Sequence, residues 1–309
     1  MLQKKIKAFF RTYNLFQYEK FILGLSGGPD SVFLLHALVH FLEIPQEKIL
    51  ALHIDHGWRK ESEDVAKEVV DIANLYGVEC LVEKLKIENA SKNLEDWSRK
   101  ERIKHYRAYA KSYSGVVLLG HNKDDHVEVI LKRVLEGSSF LRFEGIQPIR
   151  KEQETLFARP LIDLFKSEIL QACKKLQIQY VQDPTNDDDR FLRARMRKTL
   201  FPMLKESFQK EVKEPLIRIG DEAKLMKNYF EEYIKNNFNV EYRGDEVLVY
   251  AEKSEHAFVW LQLLHILSEV KYMRMSRQQL VNLSLSAACK KEPMKTHTKY
   301  GIVYAKKQS

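Results

Sequence analysis

Cysteine is scarce in this chain, and its copies stand far apart. Cys80, Cys173 and Cys289 are the three cysteines among 309 residues, and no two form a Cys-x-x-Cys pair. This pattern favours neither a disulfide framework nor a cysteine-held metal site, and it fits a reducing compartment. The sequence therefore predicts a cytoplasmic protein.

Long apolar runs are also missing. No stretch approaches the roughly 18 apolar residues of a membrane-spanning helix. The first five residues, Met-Leu-Gln-Lys-Lys, lead into mixed polar and aromatic positions rather than the apolar segment of a secretory signal. We therefore expect no membrane partner and no signal peptide. The hydrophobic content of 44% is enough for one large or two modest cores.

Acidic residues are outnumbered by basic ones. The chain has 51 Lys and Arg against 43 Asp and Glu, a formal charge of +8. This surplus permits a polyanionic partner such as a nucleic acid without proving one. Whether the chain binds a polyanion therefore depends on where the basic residues lie.

The chain is organised around a glycine turn between two apolar segments. Phe21 to Leu25 is typical of a buried strand, and Val32 to Leu42 is typical of a buried helix. A strand, a glycine turn and a helix together aim backbone N–H groups at an anion. Glycines in the turn let a phosphate oxygen come close. We interpret the whole turn as a phosphate-binding site, made of Ser26, Gly27, Gly28, Pro29, Asp30 and Ser31.

The acidic member of this turn suggests a cation. A carboxylate beside a phosphate repels it unless a cation lies between them, so Asp30 is predicted to be a catalytic Mg²⁺ ligand. No lysine follows Gly28, which excludes the common nucleotide loop with a glycine-lysine end. The string Ser-Gly-Gly-x-Asp-Ser resembles the PP-loop of the N-type ATP pyrophosphatases, which release pyrophosphate from ATP and adenylate a carbonyl oxygen. An ordinary strand–helix turn is the alternative.

Alternating strand and helix patterns predict the fold. They indicate an α/β protein with a doubly wound, mostly parallel, Rossmann-like sheet, followed by a smaller α+β domain. We place the catalytic domain at residues 1–204, and a helical linker with a small C-terminal domain at 205–309. Polar clusters follow three of the predicted strands, and the carboxyl ends of parallel strands are where ligands bind in such folds.

The second cluster contains His53, Asp55 and His56. Two histidines and a carboxylate are a ligand set for Zn²⁺. His56, however, lies past the end of the strand that carries the other two. We therefore favour a role for His53 and Asp55 beside the nucleotide base, with satisfied loop residues as the alternative.

The third cluster contains His121, Asp124, Asp125 and Glu128. Acids at a helix N-terminus are favoured by the helix dipole, so capping is one interpretation. Capping needs only one acid, and a carboxylate pair is suited to an ammonium ion or Mg²⁺. We predict that His121, Asp125 and Glu128 are catalytic.

A basic run lies downstream of the predicted sheet. Three of its arginines recur at every second position, so they would share one face of a strand and spread around a helix. A solvated surface is one interpretation, and contact with RNA phosphates is the other. We predict that the run Arg193, Arg195, Arg197 and Lys198 contacts the phosphates of a nucleic acid.

With these residues assembled, the chain resembles the bacterial tRNA(Ile)-lysidine synthases. The glycine turn matches their PP-loop, and residues 53–57 resemble their His-x-Asp-His-Gly strand end. Residues 119–128 resemble their Gly-His-x-x-Asp-Asp-x-x-Glu segment. Arg159-Pro160-Leu161 and residues 183–204 resemble the downstream region that ends in an arginine-rich stretch.

This resemblance implies a fold, a reaction and its partners. ATP with Mg²⁺ would adenylate the C2 oxygen of the wobble cytidine in a tRNA-Ile bearing CAU. The ε-amine of free lysine would then attack C2 and expel AMP. Asp125 and Glu128 would bind the lysine ammonium ion or orient the amine, and arginines would neutralise tRNA phosphates. The resemblance leaves the oligomeric state open, with a homodimer as one arrangement.

Two rival functions stay open. Another PP-loop tRNA-modifying enzyme could share the ATP site, although a thiolating enzyme needs clustered cysteines and a glutamine-dependent enzyme needs an extra domain. From a different class, the chain could be a non-catalytic RNA-binding protein with a relic nucleotide fold. The acids Asp30, Asp125 and Glu128 favour an enzyme.

Overall fold

The structure is a computed structural model that contains ten strands and eleven α-helices in its described residues. The described residues are 1–55, 62–85, 94–181, 192–243, 246–251, 256–270, 276–289, 294–298 and 301–307. The first six helices are α1 Leu2–Thr12, α2 Pro29–His36, α3 Ser62–Leu75, α4 Leu94–Ser112, α5 Lys123–Leu135 and α6 Lys166–Lys175. The others are α7 Leu192–Arg195, α8 Phe201–Phe208, α9 Lys213–Asn237, α10 Ala257–Val270 and α11 Arg277–Cys289.

The strands form two sheets. The first sheet contains β1 Phe21–Gly24, β2 Ile49–Asp55, β3 Glu79–Lys84, β4 Val116–Leu118, β5 Ile149–Glu152 and β6 Thr155–Ala158. Its order is β3-β2-β1-β4-β6-β5, and every pairing is parallel except that of β5 with β6. The second sheet contains β7 Phe238–Arg243, β8 Glu246–Ala251, β9 Met294–Thr298 and β10 Gly301–Lys307, in the order β7-β8-β10-β9.

Continuous apolar runs explain why the first sheet is parallel and central. β1 is buried along its whole length, as is β2 beside it. Strands covered on both faces read as unbroken apolar segments rather than alternating ones. The side chains of β1 are shared between two core clusters, with Phe21 and Leu23 in one and Ile22 in the other. The first sheet therefore presents the carboxyl ends of β2, β1, β4 and β6 side by side.

The chain packs as two compact units. The first unit comprises Met1–Val129 and Gly145–Pro215, and the second comprises Ile130–Glu144 and Leu216–Ser309. The second unit has its own apolar core, in which Trp260 lies 5.1 Å from the ring of Phe238. The predicted division at residue 205 remains a proposal about domains.

The predicted fold class is confirmed, and several individual predictions need correction. The apolar pattern of Ile178–Val181 predicts a short strand, but these residues form none. The Ile178 N–H donates to the Cys173 carbonyl oxygen and the Val181 N–H to that of Gly27, both at 2.9 Å, and neither acceptor lies in a strand. The charged helical pattern over residues 207–238 predicts one long helix broken or kinked near Pro215. Pro215 instead lies in the first turn of α9, where a missing N–H costs nothing. Strands β5, β7 and β9 were not predicted.

Other predictions were accurate or lie outside the described residues. The sequence predicts a helix over residues 276–285 with Ser276 as its N-cap. Ser276 does cap α11, since its Oγ accepts a hydrogen bond from the Gln279 N–H at 3.2 Å. His56, the Asp183–Asp189 loop, Arg190 and Phe191 lie outside the described residues, as do Gly244 and Asp245. No described helix has both the length and the apolar character of a membrane span.

Candidate active site

The glycine turn joins β1 to α2 and is held by its two serines. The Ser26 N–H donates to Ser31 Oγ at 3.2 Å, and the two hydroxyl oxygens lie 3.1 Å apart. The Ser31 hydroxyl in turn donates to the Gly28 carbonyl oxygen at 3.0 Å. Gly28 is the extended N-cap residue of α2, and Pro29 supplies the fixed φ that suits a first helical position. The turn therefore presents the N-terminal end of α2 at the edge of the sheet.

Gly27 cannot be replaced without strain. Its φ is +85°, and a Cβ there would lie 2.6 Å from Val69 Cγ2. A Cβ on Gly28 would meet only Ser26 Oγ, at 3.7 Å. The first glycine is thus required by the fold, whereas the second leaves open space on the side from which a ligand would approach.

Asp30 pairs with a lysine that the sequence analysis did not single out. Lys166 Nζ lies 2.6 Å from Asp30 Oδ2, although 136 residues separate the two. Burial raises the pKa of the Asp30 carboxyl, and the neighbouring Lys166 ammonium acts in the opposite direction. The cation that a carboxylate at this turn requires is therefore at least partly supplied by the protein itself.

His53 and Asp55 lie at the carboxyl end of β2, as predicted. His53 Nδ1 is 2.9 Å from the Leu25 carbonyl oxygen, which can only accept, so Nδ1 carries the proton and Nε2 is an acceptor. Burial lowers the pKa of His53 and keeps the ring neutral. Asp55 is buried and accepts a hydrogen bond from Ser62 Oγ at 3.3 Å. Both side chains are one strand away from the glycine turn.

Asp125 has a capping role as well as a place in the acid cluster. Its N–H donates to Asn122 Oδ1, and its own Oδ2 accepts from the Asn122 N–H, both at 3.0 Å. This reciprocal pair is a capping box at the start of α5. The remaining oxygen, Asp125 Oδ1, accepts from Arg197 Nη2 at 2.7 Å. Capping therefore explains one oxygen of the Asp125 carboxylate, and the other oxygen binds Arg197.

Glu128 is buried, and its partner is also Arg197. The Arg197 Nε donates to Glu128 Oε1, and Nη2 lies 3.1 Å from Oε2. Arg193 Nε is 4.0 Å from the same Oε2. Burial is the largest influence on Glu128 and raises its pKa, whereas the hydrogen bonds from Arg197 lower it. The acid pair thus holds a guanidinium group.

Asp124, which precedes this pair, turns away from it. Its Oδ2 accepts from the Lys166 N–H at 2.7 Å, and its Oδ1 pairs with Lys213. Asp124 therefore ties the start of α5 to the start of α6. It is not part of the cation-holding pair.

His121 follows β4 and is electrically neutral. Burial lowers the pKa of His121 to about 3; Asp125 raises it, and Arg159, Arg193 and Arg102 lower it further. Its Nδ1 atom is buried and has no hydrogen-bond partner among the described residues. A His121 ring with so low a pKa is suited to hydrogen bonding rather than to general-base catalysis.

The basic run, residues 193–198, is helical, so its side chains point in different directions. It begins in α7 and continues through a π-helical turn, Met196–Leu200, into α8. Arg193 and Arg197, four residues apart, both reach Glu128. Arg195 and Lys198 are exposed. The structure thus brings Asp125, Glu128, Arg193 and Arg197 together and places Arg195 and Lys198 at the surface.

The structure also adds residues to the predicted site. Lys166 is the first residue of helix α6, which begins at the same edge of the sheet. Its place at the start of this helix is the only feature of the sequence that could have pointed to it. Arg159 directly follows β6, the strand beside β4, and would have been found by extending the strand-end rule to one more strand.

Comparisons with known proteins agree with this fold. Residues 1–204 match the family model of the PP-loop domain. The U34-tRNA thiolase NcsA of Methanococcus maripaludis, solved with its [4Fe-4S] cluster, has a similar structure, with a TM-score of 0.59 and 19% identity. This likeness covers 72% of this chain and 77% of that one. At that identity it shows the fold alone. The fold and the glycine turn thus define a protein of the PP-loop class.

Sequence relatives narrow the class to one family. The chain is 35% identical over 238 residues to the tRNA(Ile)-lysidine synthase of Chlamydia pneumoniae, covering 76% of this chain and 73% of the relative. It is 35% identical over 288 residues to the same-named protein of Protochlamydia amoebophila, covering 91% of this chain and 62% of the relative. The chain belongs to the tRNA(Ile)-lysidine synthase family. Family membership implies that it uses ATP.

Proposed function

We propose that the chain ligates free lysine to C2 of the wobble cytidine of a tRNA-Ile with anticodon CAU. ATP first adenylates the C2 oxygen and releases pyrophosphate, and the lysine amine then attacks C2 and displaces AMP. One observation carries the proposal: an anion-binding turn and a buried acid pair follow the neighbouring parallel strands β1 and β4. The names of the curated relatives support the same reaction. Its tRNA substrate places the reaction in the cytoplasm.

The ATP half of the reaction belongs to the glycine turn. Ser26–Ser31 lies at the N-terminal end of α2, where the helix dipole and backbone N–H groups favour a phosphate. His53 and Asp55 end the adjacent strand β2, so we assign them to the nucleoside part of ATP. A neutral His53 with a bare Nε2 suits a donor group of the base.

The residues present fit a Mg²⁺ ion. Among the described residues, Asp30 Oδ1 is buried and has no partner at normal hydrogen-bond geometry, although the Asn122 side chain lies near enough to lower the pKa of Asp30. A carboxylate oxygen is a preferred Mg²⁺ ligand, and Mg²⁺ commonly combines one or two carboxylates with substrate phosphates. Asp30 would hold the ion, and Lys166 would keep the other carboxylate oxygen in place. The ion would neutralise phosphate charge when bound.

The lysine half of the reaction belongs to the end of β4. Lysine attacks as a neutral amine, so a nearby group has to take a proton. The pKa of Glu128 is raised by burial, and that of His121 is lowered to about 3, so Glu128 is better suited to hold this proton. We therefore assign proton transfer to Glu128 and hydrogen bonding to His121. Asp125 shares the ammonium site.

The tRNA is held by positive charge. The net charge of +8 favours a polyanion. Arg195 and Lys198 are exposed on the same helical run as the two arginines that contact Glu128. We assign Arg193, Arg195, Arg197 and Lys198 to tRNA binding, and residues 205–309 to a tRNA clamp. The lysine-rich end of the chain, Lys290, Lys291, Lys295 and Lys299, suggests this clamp; of these, Lys290, Lys291 and Lys299 lie outside the described residues. A homodimer is part of this proposal and is tested by analytical ultracentrifugation.

The experiment that tests this function is ATP–pyrophosphate exchange measured with and without tRNA. We expect exchange only when the tRNA is present, and loss of exchange in Asp30→Asn. Asp163→Asn, the same change at an exposed position, should leave exchange intact. Binding of tRNA without any exchange would identify the chain as a non-catalytic RNA-binding protein. Full activity of Asp30→Asn would remove Asp30 from the mechanism.

A further inference from the structure

Buried polar atoms without partners are concentrated at one edge of the first sheet. In the described part of the chain, four side-chain atoms are buried without a hydrogen-bond partner: Asp30 Oδ1, Ser98 Oγ, His121 Nδ1 and Arg159 Nε. Folded proteins satisfy nearly all buried polar groups, so each exception requires an explanation. Asp30 is explained by the proposed cation. The other three remain.

Two of these atoms follow neighbouring strands. His121 comes three residues after β4 ends, and Arg159 comes directly after β6. The strands are parallel, and the Leu119 N–H donates to the Ala158 carbonyl oxygen at 2.9 Å, so the pairing continues to the strand ends. Arg159 is also among the charges that lower the pKa of His121, in keeping with this placement.

The third atom reaches the same edge from a helix. Helix α4 packs against β1, β4 and β6, and its buried face includes Ser98 and Tyr106. A Cβ on Gly24, the last residue of β1, would lie 2.7 Å from Tyr106 Oη. Ser98 is two turns closer to the N-terminus of α4, and the helix runs antiparallel to the strands. Ser98 therefore lies beyond the carboxyl end of β1.

All three groups can donate hydrogen bonds. Arginine only donates, and a serine hydroxyl and a neutral imidazole each have one donor. Burial lowers the pKa of Arg159 to about 10, so the guanidinium remains charged at neutral pH. Its Nη1 already donates to the Gln147 carbonyl oxygen at 2.9 Å, which fixes the group while leaving Nε for a ligand. The three donors require an anion with several acceptor oxygens.

We propose that Ser98, His121 and Arg159 form a subsite for the α-carboxylate of a free amino acid. This inference rests on the proposed function, in which lysine is the amino acid, and it explains how a free amino acid is distinguished from a simple amine. Arg159 is the principal specificity-determining residue, because a guanidinium pairs well with a planar carboxylate.

A phosphate would satisfy the same donors, and Arg102 and Arg193 near His121 add further positive charge. The acid pair at the same edge distinguishes the two ligands. Asp125 acts on His121 and, like the buried Glu128, is bound by Arg197. A zwitterionic amino acid presents an ammonium ion to these acids and a carboxylate to Arg159, whereas a phosphate presents negative charge alone. The acids therefore favour an amino acid.

The test compares L-lysine with L-lysinamide, which keeps both amines and replaces the carboxylate by a neutral amide. Incorporation into tRNA is measured at saturating ATP, and the ratio of the two kcat/KM values is the readout. We expect the wild-type protein to prefer lysine by about 100-fold, as expected for lost hydrogen bonds to a charged group. In Arg159→Gln the ratio should fall below about 5-fold, since the remaining donors are neutral.

Two further variants keep the test decisive. Arg150→Gln changes an exposed arginine on neighbouring β5 and should leave the ratio unchanged. Ser98→Ala removes a hydroxyl without a partner, so it should fold normally and lower the ratio several-fold even if Arg159→Gln does not fold. The proposal is overturned if the ratio of the kcat/KM values for lysine and lysinamide is unchanged in Ser98→Ala and in folded Arg159→Gln. It is also overturned if these variants raise the KM for ATP or tRNA and leave that ratio intact, which would indicate a phosphate site. Failure of the wild-type protein to incorporate lysine would instead refute the proposed function.

Discussion

Arg197 donates hydrogen bonds to both carboxylate oxygens of Glu128. Glu128 is 2% exposed, whereas the Arg197 side chain is 42% exposed. The same guanidinium also reaches Asp125 Oδ1 at 2.7 Å. The acid pair that the sequence assigns to a lysine ammonium ion therefore already holds a cation of the protein. An incoming amine has to share these oxygens with Arg197 or displace it.

Removal of Arg197 should destabilise the protein in a pH-dependent way. Arg197→Met leaves Glu128 as an uncompensated buried charge and raises its pKa further above that of the unfolded chain. Because protonation relieves this cost, the loss of stability should be large at neutral pH and shrink as the pH falls toward 5. We expect about 2 kcal/mol at pH 7, less than for a fully buried pair because Arg197 is partly exposed.

Urea unfolding at the two pH values measures this effect. The double variant Glu128→Gln with Arg197→Met removes both charges and should lose less stability than Arg197→Met alone. Equal losses at both pH values would show that the contact of Arg197 is one of packing rather than charge.

The two glycines of the turn should fail in different ways. Gly27→Ala places a Cβ at φ +85° and 2.6 Å from Val69, so it should lower the free energy of unfolding by about 2 kcal/mol or more. Gly28→Ala meets only Ser26 Oγ at 3.7 Å, so it should fold nearly as well as the wild type and raise the KM for ATP. Thermal unfolding together with ATP titration distinguishes them. Wild-type ATP affinity in Gly28→Ala would argue that the phosphate does not approach this residue.

Arg195 should contact RNA phosphate, since it is exposed on the helical run whose other arginines reach Glu128. Arg195→Ala should flatten the log–log salt slope of tRNA binding by about 0.7 to 0.9. Arg11→Ala, at an exposed position on α1, should leave the slope unchanged. If the slope of Arg195→Ala matches that of the wild type, the residue belongs to a solvated surface.

Glu128 should separate the two half-reactions. Glu128→Gln keeps the shape of the side chain and deletes its charge, so lysine incorporation should slow by about a hundredfold while adenylation continues. An adenylated tRNA should accumulate, which acid-quench analysis detects. Glu136→Gln, at an exposed position beyond the end of the same helix, should behave as wild type. Loss of adenylation in Glu128→Gln would assign Glu128 to the ATP site instead.

The sequence predicts what depends on local pattern. Apolar runs reveal β1, β2 and β4, and the strand-end rule brings Ser26, His53 and His121 to one edge. The pairings inside the site are different, because 136 residues separate Asp30 from Lys166 and 69 separate Glu128 from Arg197. Local periodicity carries no information about such distant partners. It also left open whether the arginine run was a strand or a helix, and this choice decides which arginines face the acids.

Incorporation of labelled lysine into tRNA tests the central claim most directly. The pure protein is given ATP, labelled lysine and a tRNA-Ile transcript with anticodon CAU, beside a transcript whose wobble cytidine is replaced by uridine. The account predicts label in the first transcript alone, dependent on ATP, and recovered as a lysine-modified cytidine after digestion. Label in both transcripts, or tRNA-dependent pyrophosphate release without any label, would contradict it.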